Sequence, residues 1–334
     1  SQFRILPSAA LLMGGGALAF IPGLPHFVLD PQLVLVLFLP PLLMDGAYAT
    51  ALGRFRRHLP GILSLAVGTV IFTTFAVGVV AHWLVPELPW AACFALGAVV
   101  SPPDAVAARA VLQGVTLPRR LSALIEGESL LNDATGLVLF RFAVAAALSG
   151  TFEAQAALGN FLVLAIGGVA VGLVTGAVWR FVIRHIHDQM LTIIASSMLG
   201  WFAYLLGERL HVSGVIAAVT AGLMLGWYQH EVFSAPVRLR GTSFWQVMVF
   251  LMEAMVFILI GFSLRDVVAR VGGVEAVTAH MALPAAGIVA AVVVARFIWL
   301  FASDAVLAAL HTIGWARARP LGLRQATVLG WAGM

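Results

Sequence analysis

Charge is what this sequence has least of. Only 10% of its 334 residues are charged, against about 25% in an ordinary soluble domain. Lysine is absent altogether, so all nineteen basic residues are arginine. With 61% of the residues hydrophobic, a soluble globular domain is excluded. The single cysteine, Cys93, excludes an internal disulfide. No His/Cys cluster has the spacing of a zinc, iron or copper site, and no Gly-rich Lys-Ser/Thr loop holds a phosphate, which argues against an ATP-driven pump. No hydrophilic domain, repeat array, low-complexity tract or signal peptide is visible. The formal net charge of +4 does not point to nucleic acid, because the arginines lie between apolar segments instead of forming a patch.

What is present is a succession of apolar stretches, at 7–24, 32–52, 60–85, 89–113, 118–149, 157–183, 189–207, 212–228, 243–264 and 276–310, with an eleventh starting near Leu321. Crossing the hydrocarbon takes roughly 20 apolar residues, which gives about ten to eleven transmembrane helices. Only helices or closed barrels satisfy the backbone in lipid, and runs this long and uniform are helices. The expectation is an all-α integral membrane protein, a single domain over 1–334. The stretch 276–310 is long for one span and is expected to tilt, kink or run past the membrane.

The arginines orient these helices. Arg4, Arg54, Arg56, Arg57, Arg109, Arg119, Arg120, Arg180, Arg184, Arg238, Arg240, Arg317, Arg319 and Arg324 fall at one set of alternate ends, and only Arg209, Arg265 and Arg270 at the other. Arg141 and Arg296 lie inside apolar segments. Positive charge stays inside, so residue 1 is expected on the cytoplasmic side.

An ionisable residue within a span is a functional signal by default. Asp45, Asp104, Glu126, Glu128, Asp133, Arg141, Glu253, Arg296 and, at a margin, Asp304 qualify, and they crowd between 101 and 141. Ser101-Pro102-Pro103-Asp104 sits in the middle of an apolar stretch. Each proline removes an amide donor, and the second forces Pro102 out of helical geometry, so the helix is expected to break here. Transporters build cation sites from such broken helices. A plain proline kink with Asp104 as an N-cap is the alternative.

The next segment reads Glu126-Gly127-Glu128-Ser129-Leu130-Leu131-Asn132-Asp133. On a helix, Glu126, Ser129 and Asp133 share a face, and Glu128 with Asn132 forms the neighbouring stripe. These are hard oxygen ligands of the kind an alkali cation takes. An acid there can hold a proton or a cation but not both, and that competition couples the two movements. Pairing of Glu126 and Glu128 with Arg119 or Arg120 at the cytoplasmic end is the structural alternative. Arg296 needs a partner, for which Glu128 is the choice. Glu253 is isolated and reads as a second partner, a protonated acid or part of an ion path. Asp45 and Arg141 lie nearer helix ends, where snorkelling or rim salt bridges are usual. His185 and His187 read as loop or interface residues.

Taken together, Ser101 to Ala108, Leu117-Pro118-Arg119-Arg120-Leu121 and Glu126 to Asp133 resemble the sodium/proton exchangers among the cation/proton antiporters, in their bacterial NhaP-like branch. Val212 to Ala218, Phe257 to Gly261 and Arg296 extend the resemblance through nearly the whole chain. It implies a homodimer in the bacterial plasma (inner) membrane with inverted repeats, two discontinuous crossing helices and about thirteen spans in the full family fold. It implies Na⁺ (or Li⁺ or K⁺) exchange for H⁺ by alternating access, with no cofactor and no enzymatic chemistry. Asp133 is then the ion- and proton-binding acid, with Asp104 and Ser129 beside it as ligands of the monovalent cation. Glu128, Asn132, Arg296 and Glu253 support the site, and Ser101, Pro102 and Pro103 form the helix break. The Asn132-Asp133 pair goes with electroneutral exchange. Pro103 stands where many relatives have threonine. The resemblance also implies that the family's first span and last two spans are missing or truncated in this chain. A cation channel and a non-transporting sensor or assembly module on the same fold are the alternatives.

Overall fold

The computed structural model describes residues 7–19, 30–50, 52–103, 117–149, 154–314 and 320–332. Arg4, Asp104, Arg109, Arg317 and Arg319, named above, lie outside them. Among the described residues the helices are α1 (Pro7–Ala19), α2 (Pro31–Ala49), α3 (Leu52–Leu84), α4 (Trp90–Val100), α5 (Arg119–Ser149), α6 (Ala154–Arg184), α7 (Gln189–Arg209), α8 (Gly214–Val232), α9 (Ala235–Val271), α10 (Val274–Thr312) and α11 (Leu323–Ala332), and no strand occurs. Each coincides with one apolar stretch of the sequence. Seven are long and apolar enough to cross a membrane: α2, α3, α5, α6, α7, α9 and α10. The stretch that looked too long for one span is a single helix, α10, of 39 residues. At 1.5 Å per residue it is about 58 Å long. Gly272 and Gly273, at φ +102° and +103°, end α9 and start α10 through a backbone turn that Cβ-bearing residues rarely adopt.

The chain folds into two compact units, one of residues 1–52 and 162–279, the other of 53–161 and 280–334. In the first, α2, α7, α8 and α9 gather around Met44, Leu199, Ala203, Ala217, Ala221 and Leu225. Small residues let the backbones close in, as helices in lipid require without a hydrophobic force between them. Gly226 meets the backbone of Tyr48, and Gly15 on α1 meets that of Ile258 on α9.

Pro40 and Pro41 do not break α2, which runs through them. Pro41 has no amide for the carbonyl of Leu37, four residues back. The indole Nε1 of Trp201 on α7 donates to that oxygen at 3.2 Å instead. Trp201→Phe keeps a ring but orphans a carbonyl that has no water to turn to in lipid. The expected loss is about 1 kcal/mol of stability, read as a lowered melting temperature in detergent. An unchanged melting temperature would leave the bond without weight.

The second unit holds α3, α4, α5, α11 and most of α10. Within α3, Ser64–Thr69 forms a π-helical turn, a local widening that accommodates one extra residue and recurs at functional sites. Trp299 on α10 donates its indole N–H to the carbonyl of Ser64 at 3.0 Å and packs against Gly68, so α10 seals this turn. α4 lies along the later part of α3, with Gly97 on the backbone of Thr74 and Phe94 on Gly78. α5 packs against both α4 and the π-helical turn.

Candidate cation site at the helix break

Helix α4 stops at Val100, and Ser101, Pro102 and Pro103 follow outside helical structure. The break comes where the two prolines require it, deep in the second unit. Ser101 is buried; its hydroxyl donates to the carbonyl of Gly97 at 2.5 Å and lies 3.1 Å from the hydroxyl of Thr74. The ring of Pro102 fills the space left by the missing side chain of Gly136 on α5, where a Cβ would stand 2.5 Å from Pro102 Cγ.

The carbonyl of Pro103 is taken by α5. Asn132 donates its Nδ2 to that oxygen at 2.8 Å, and its Oδ1 accepts from the backbone amide of Asp133 at 2.7 Å. The Asn132 side chain is fully buried. One amide therefore ties the broken end of α4 to the turn of α5 that carries Asp133. Asp133 itself is half-buried, as is Ser129 one turn earlier on the same face. Glu126 is exposed, whereas Glu128 is buried, so the two acids of the Glu-Gly-Glu run have opposite surroundings.

Glu128 is held by Arg296. The guanidinium makes a two-pronged ion pair, Nη1 to Oε1 at 2.7 Å and Nη2 to Oε2 at 3.0 Å, with 3% of Arg296 and 2% of Glu128 exposed. Its Nε donates to the carbonyl of Gly330 at 3.2 Å, with Leu329 O at 3.5 Å from Nη2. These belong to the last turn of α11, whose carbonyls have no intrahelical donor and favour a cation. One side chain of α10 thus binds α5 and the end of α11. At the other end of α11, Asp304 of α10 accepts from the amides of Leu321 at 2.5 Å and Gly322 at 3.0 Å. An anion before the first turn and a cation at the last complement the helix dipole.

The arrangement brings Asn132, and with it the backbone of Asp133, to the break at Ser101-Pro102-Pro103. Ser129 lies one turn earlier on α5, and Glu128 on the same helix is paired with Arg296. Glu253 lies half-buried on α9 of the first unit. The sequence reading missed the anchoring role of Asp304, and the Pro320-Leu321-Gly322 turn sixteen residues on was its available signal.

The sequence profile described as "Sodium/hydrogen exchanger, transmembrane" matches residues 2–334. The chain belongs to this exchanger family. Among its relatives, the sodium, potassium, lithium and rubidium/H⁺ antiporter of Bacillus pumilus is 34% identical over 271 residues, 78% of this chain and 40% of the relative. The Na⁺/H⁺ antiporter NhaH of Halobacillus dabanensis is 32% identical over 240 residues, 70% of this chain and 59% of the relative. The chain therefore spans about two fifths to three fifths of the length of these two exchangers. Among solved structures, the sodium proton antiporter MjNhaP1 of Methanocaldococcus jannaschii superposes with a TM-score of 0.68 at 18% identity, covering 98% of this chain and 86% of that one. That likeness shows the fold: the exchanger family's all-helical antiporter architecture.

Proposed function

We propose that this chain is the transporting membrane domain of a secondary antiporter that exchanges Na⁺, or Li⁺ or K⁺, for H⁺, one for one, by alternating access. Asp133 is alternately protonated and cation-bound. Asp104 and Ser129 supply further oxygens, Asn132 and the Ser101-Pro102-Pro103 break hold the acid in place, and the Glu128–Arg296 pair fixes α5 against α10 and α11. Glu253 is a separate supporting acid on α9. The protein works as a homodimer in the bacterial plasma (inner) membrane, with residue 1 on the cytoplasmic side, as the fourteen-to-three division of the arginines argues.

The observation that carries this reading is the Asn132 amide, bonded at once to the carbonyl of Pro103 and to the backbone of Asp133. Irregular backbone within a span is tolerated where it is buried in protein or lines a cavity, and here a carboxylate stands beside it. The names of the relatives, which include Na⁺, K⁺, Li⁺ and Rb⁺ antiporters, favour alkali cations over other cargo.

The test is exchange by the full-length protein in proteoliposomes. A pH gradient is imposed, and Na⁺, Li⁺, K⁺ or choline is added in turn. Collapse of the gradient by a small alkali cation but not by choline establishes antiport and names the ion. Insensitivity to an added ionophore that clamps the membrane potential makes the exchange electroneutral. No response to any cation would sink the reading.

A further inference from the structure

Two buried hydroxyls of the second unit have no partner among the described residues. Thr69, the last residue of the π-helical turn, and Thr73, one turn on, are each 1% exposed, and neither Oγ1 has a hydrogen-bond partner among the described residues. Other threonines of this chain behave differently. Thr50, Thr135, Thr175, Thr192, Thr242, Thr278, Thr312 and Thr327 all turn their hydroxyls onto a carbonyl three or four residues back. That is the default for a hydroxyl away from water. A buried hydroxyl left open is costly, and valine would fit the same space, as it does at Val70 and Val77 on the same helix.

Their place on α3 gives the openness a use. The face of Ser64, Gly68 and Phe72 is covered by Trp299, and that of Thr74 and Gly78 by α4. Thr69 and Thr73 lie on the arc between these two faces, on the stretch of α3 whose π-helical turn packs against α5. Thr74 bonds Ser101 at the break, so Thr73 is level with the start of the segment that Asn132 grips. No histidine, arginine or carboxylate lies within 64–81 of α3. The segment offers neutral oxygen alone, which suits a cation shedding water and does not trap it.

We propose that Thr69 and Thr73 are cation-selecting residues: their hydroxyl oxygens replace water around the alkali ion as it loses hydration on its way to or from Asp133. This rests on the antiport reading and adds to it the side chains that tell one alkali ion from another. Neither residue titrates, so both affect the cation and leave the proton untouched.

The test uses T69V, T73V, the double valine variant and the corresponding serine variants of the full-length protein in proteoliposomes. The double valine variant is expected to raise the KM for Na⁺ about tenfold, the equivalent of one lost hydrogen bond, and to level the preference among Li⁺, Na⁺ and K⁺. Its maximal rate and pH profile stay near wild type, and its melting temperature is unchanged or raised. Serine in place of threonine restores the wild-type KM. Unchanged KM and cation order in a folded double valine variant would overturn the proposal, and if the double variant does not fold, the single valines decide by the same measure. Na⁺ binding to the detergent-solubilised protein by calorimetry separates the two readings. Wild-type protein that binds Na⁺ without exchanging it defeats the antiport reading alone, and the valine variants' affinity then decides the role of the hydroxyls. Wild-type protein that neither binds nor exchanges defeats both.

Discussion

Asp133→Asn gives a folded protein whose exchange falls to that of protein-free liposomes. The substitution changes almost nothing in shape. On the proposed mechanism it removes the negative charge that would draw a desolvated cation and the atoms at that position that would take up and release a proton. The bond that Asn132 makes to residue 133 uses the backbone amide, so the grip on Pro103 persists. Loss of fold is therefore not expected, and an unchanged melting temperature should accompany loss of cation-driven collapse of the pH gradient. Retained exchange in this variant would remove Asp133 from the centre of the mechanism, however well the rest of the site matched.

Arg296→Ala acts mainly on stability. Without the guanidinium, Glu128 is left as a charge in a dry interior, and the carbonyls of Gly330 and Leu329 lose a donor. Breaking a buried pair by removing one partner costs about 3–5 kcal/mol, so the melting temperature in detergent falls clearly. The KM for the cation in the fraction that stays folded moves little. The double variant E128Q/R296M recovers part of the loss, because no uncompensated charge remains. It does not recover all of it, since methionine cannot donate to Gly330. A normal melting temperature with impaired transport would assign Arg296 to the ion path instead.

How far the sequence could be read depended on the range of the physics. Apolar runs mark helices because every backbone group in lipid must bond within its own segment, and the described helices follow those runs. Pairing Arg296 with Glu128 needed only the rule that a buried charge finds an opposite one. A double proline does not by itself decide a break. Pro102-Pro103 ends α4, but Pro40-Pro41 lies within an unbroken α2, where Trp201 from another helix takes up the orphaned carbonyl of Leu37. A rescue contributed from 164 residues away has no local signature. The same holds for the π-helical turn and for Thr69 and Thr73, whose lack of partners among the described residues depends on what surrounds them. Asp304 looked like one more acid in an apolar run, and its role became clear only with the amides of Leu321 and Gly322 folded onto it.

The turn at Ser64–Thr69 also gives α3 one place where a change in length is absorbed. A π-helical turn is an α-helix with one residue added, and its wider turn takes up that residue so that the helix on either side stays in phase. Deleting one residue between 64 and 69 would restore ordinary bonding and leave the face that meets Ser101 where it is. The same deletion in the regular part of α3 would turn everything beyond by about 100° relative to everything before, and the face that meets Trp299 and the face that meets Ser101 would fall out of phase although no contact residue had been replaced. Among descendants of this sequence, single-residue deletions in α3 are expected to fall within that stretch alone.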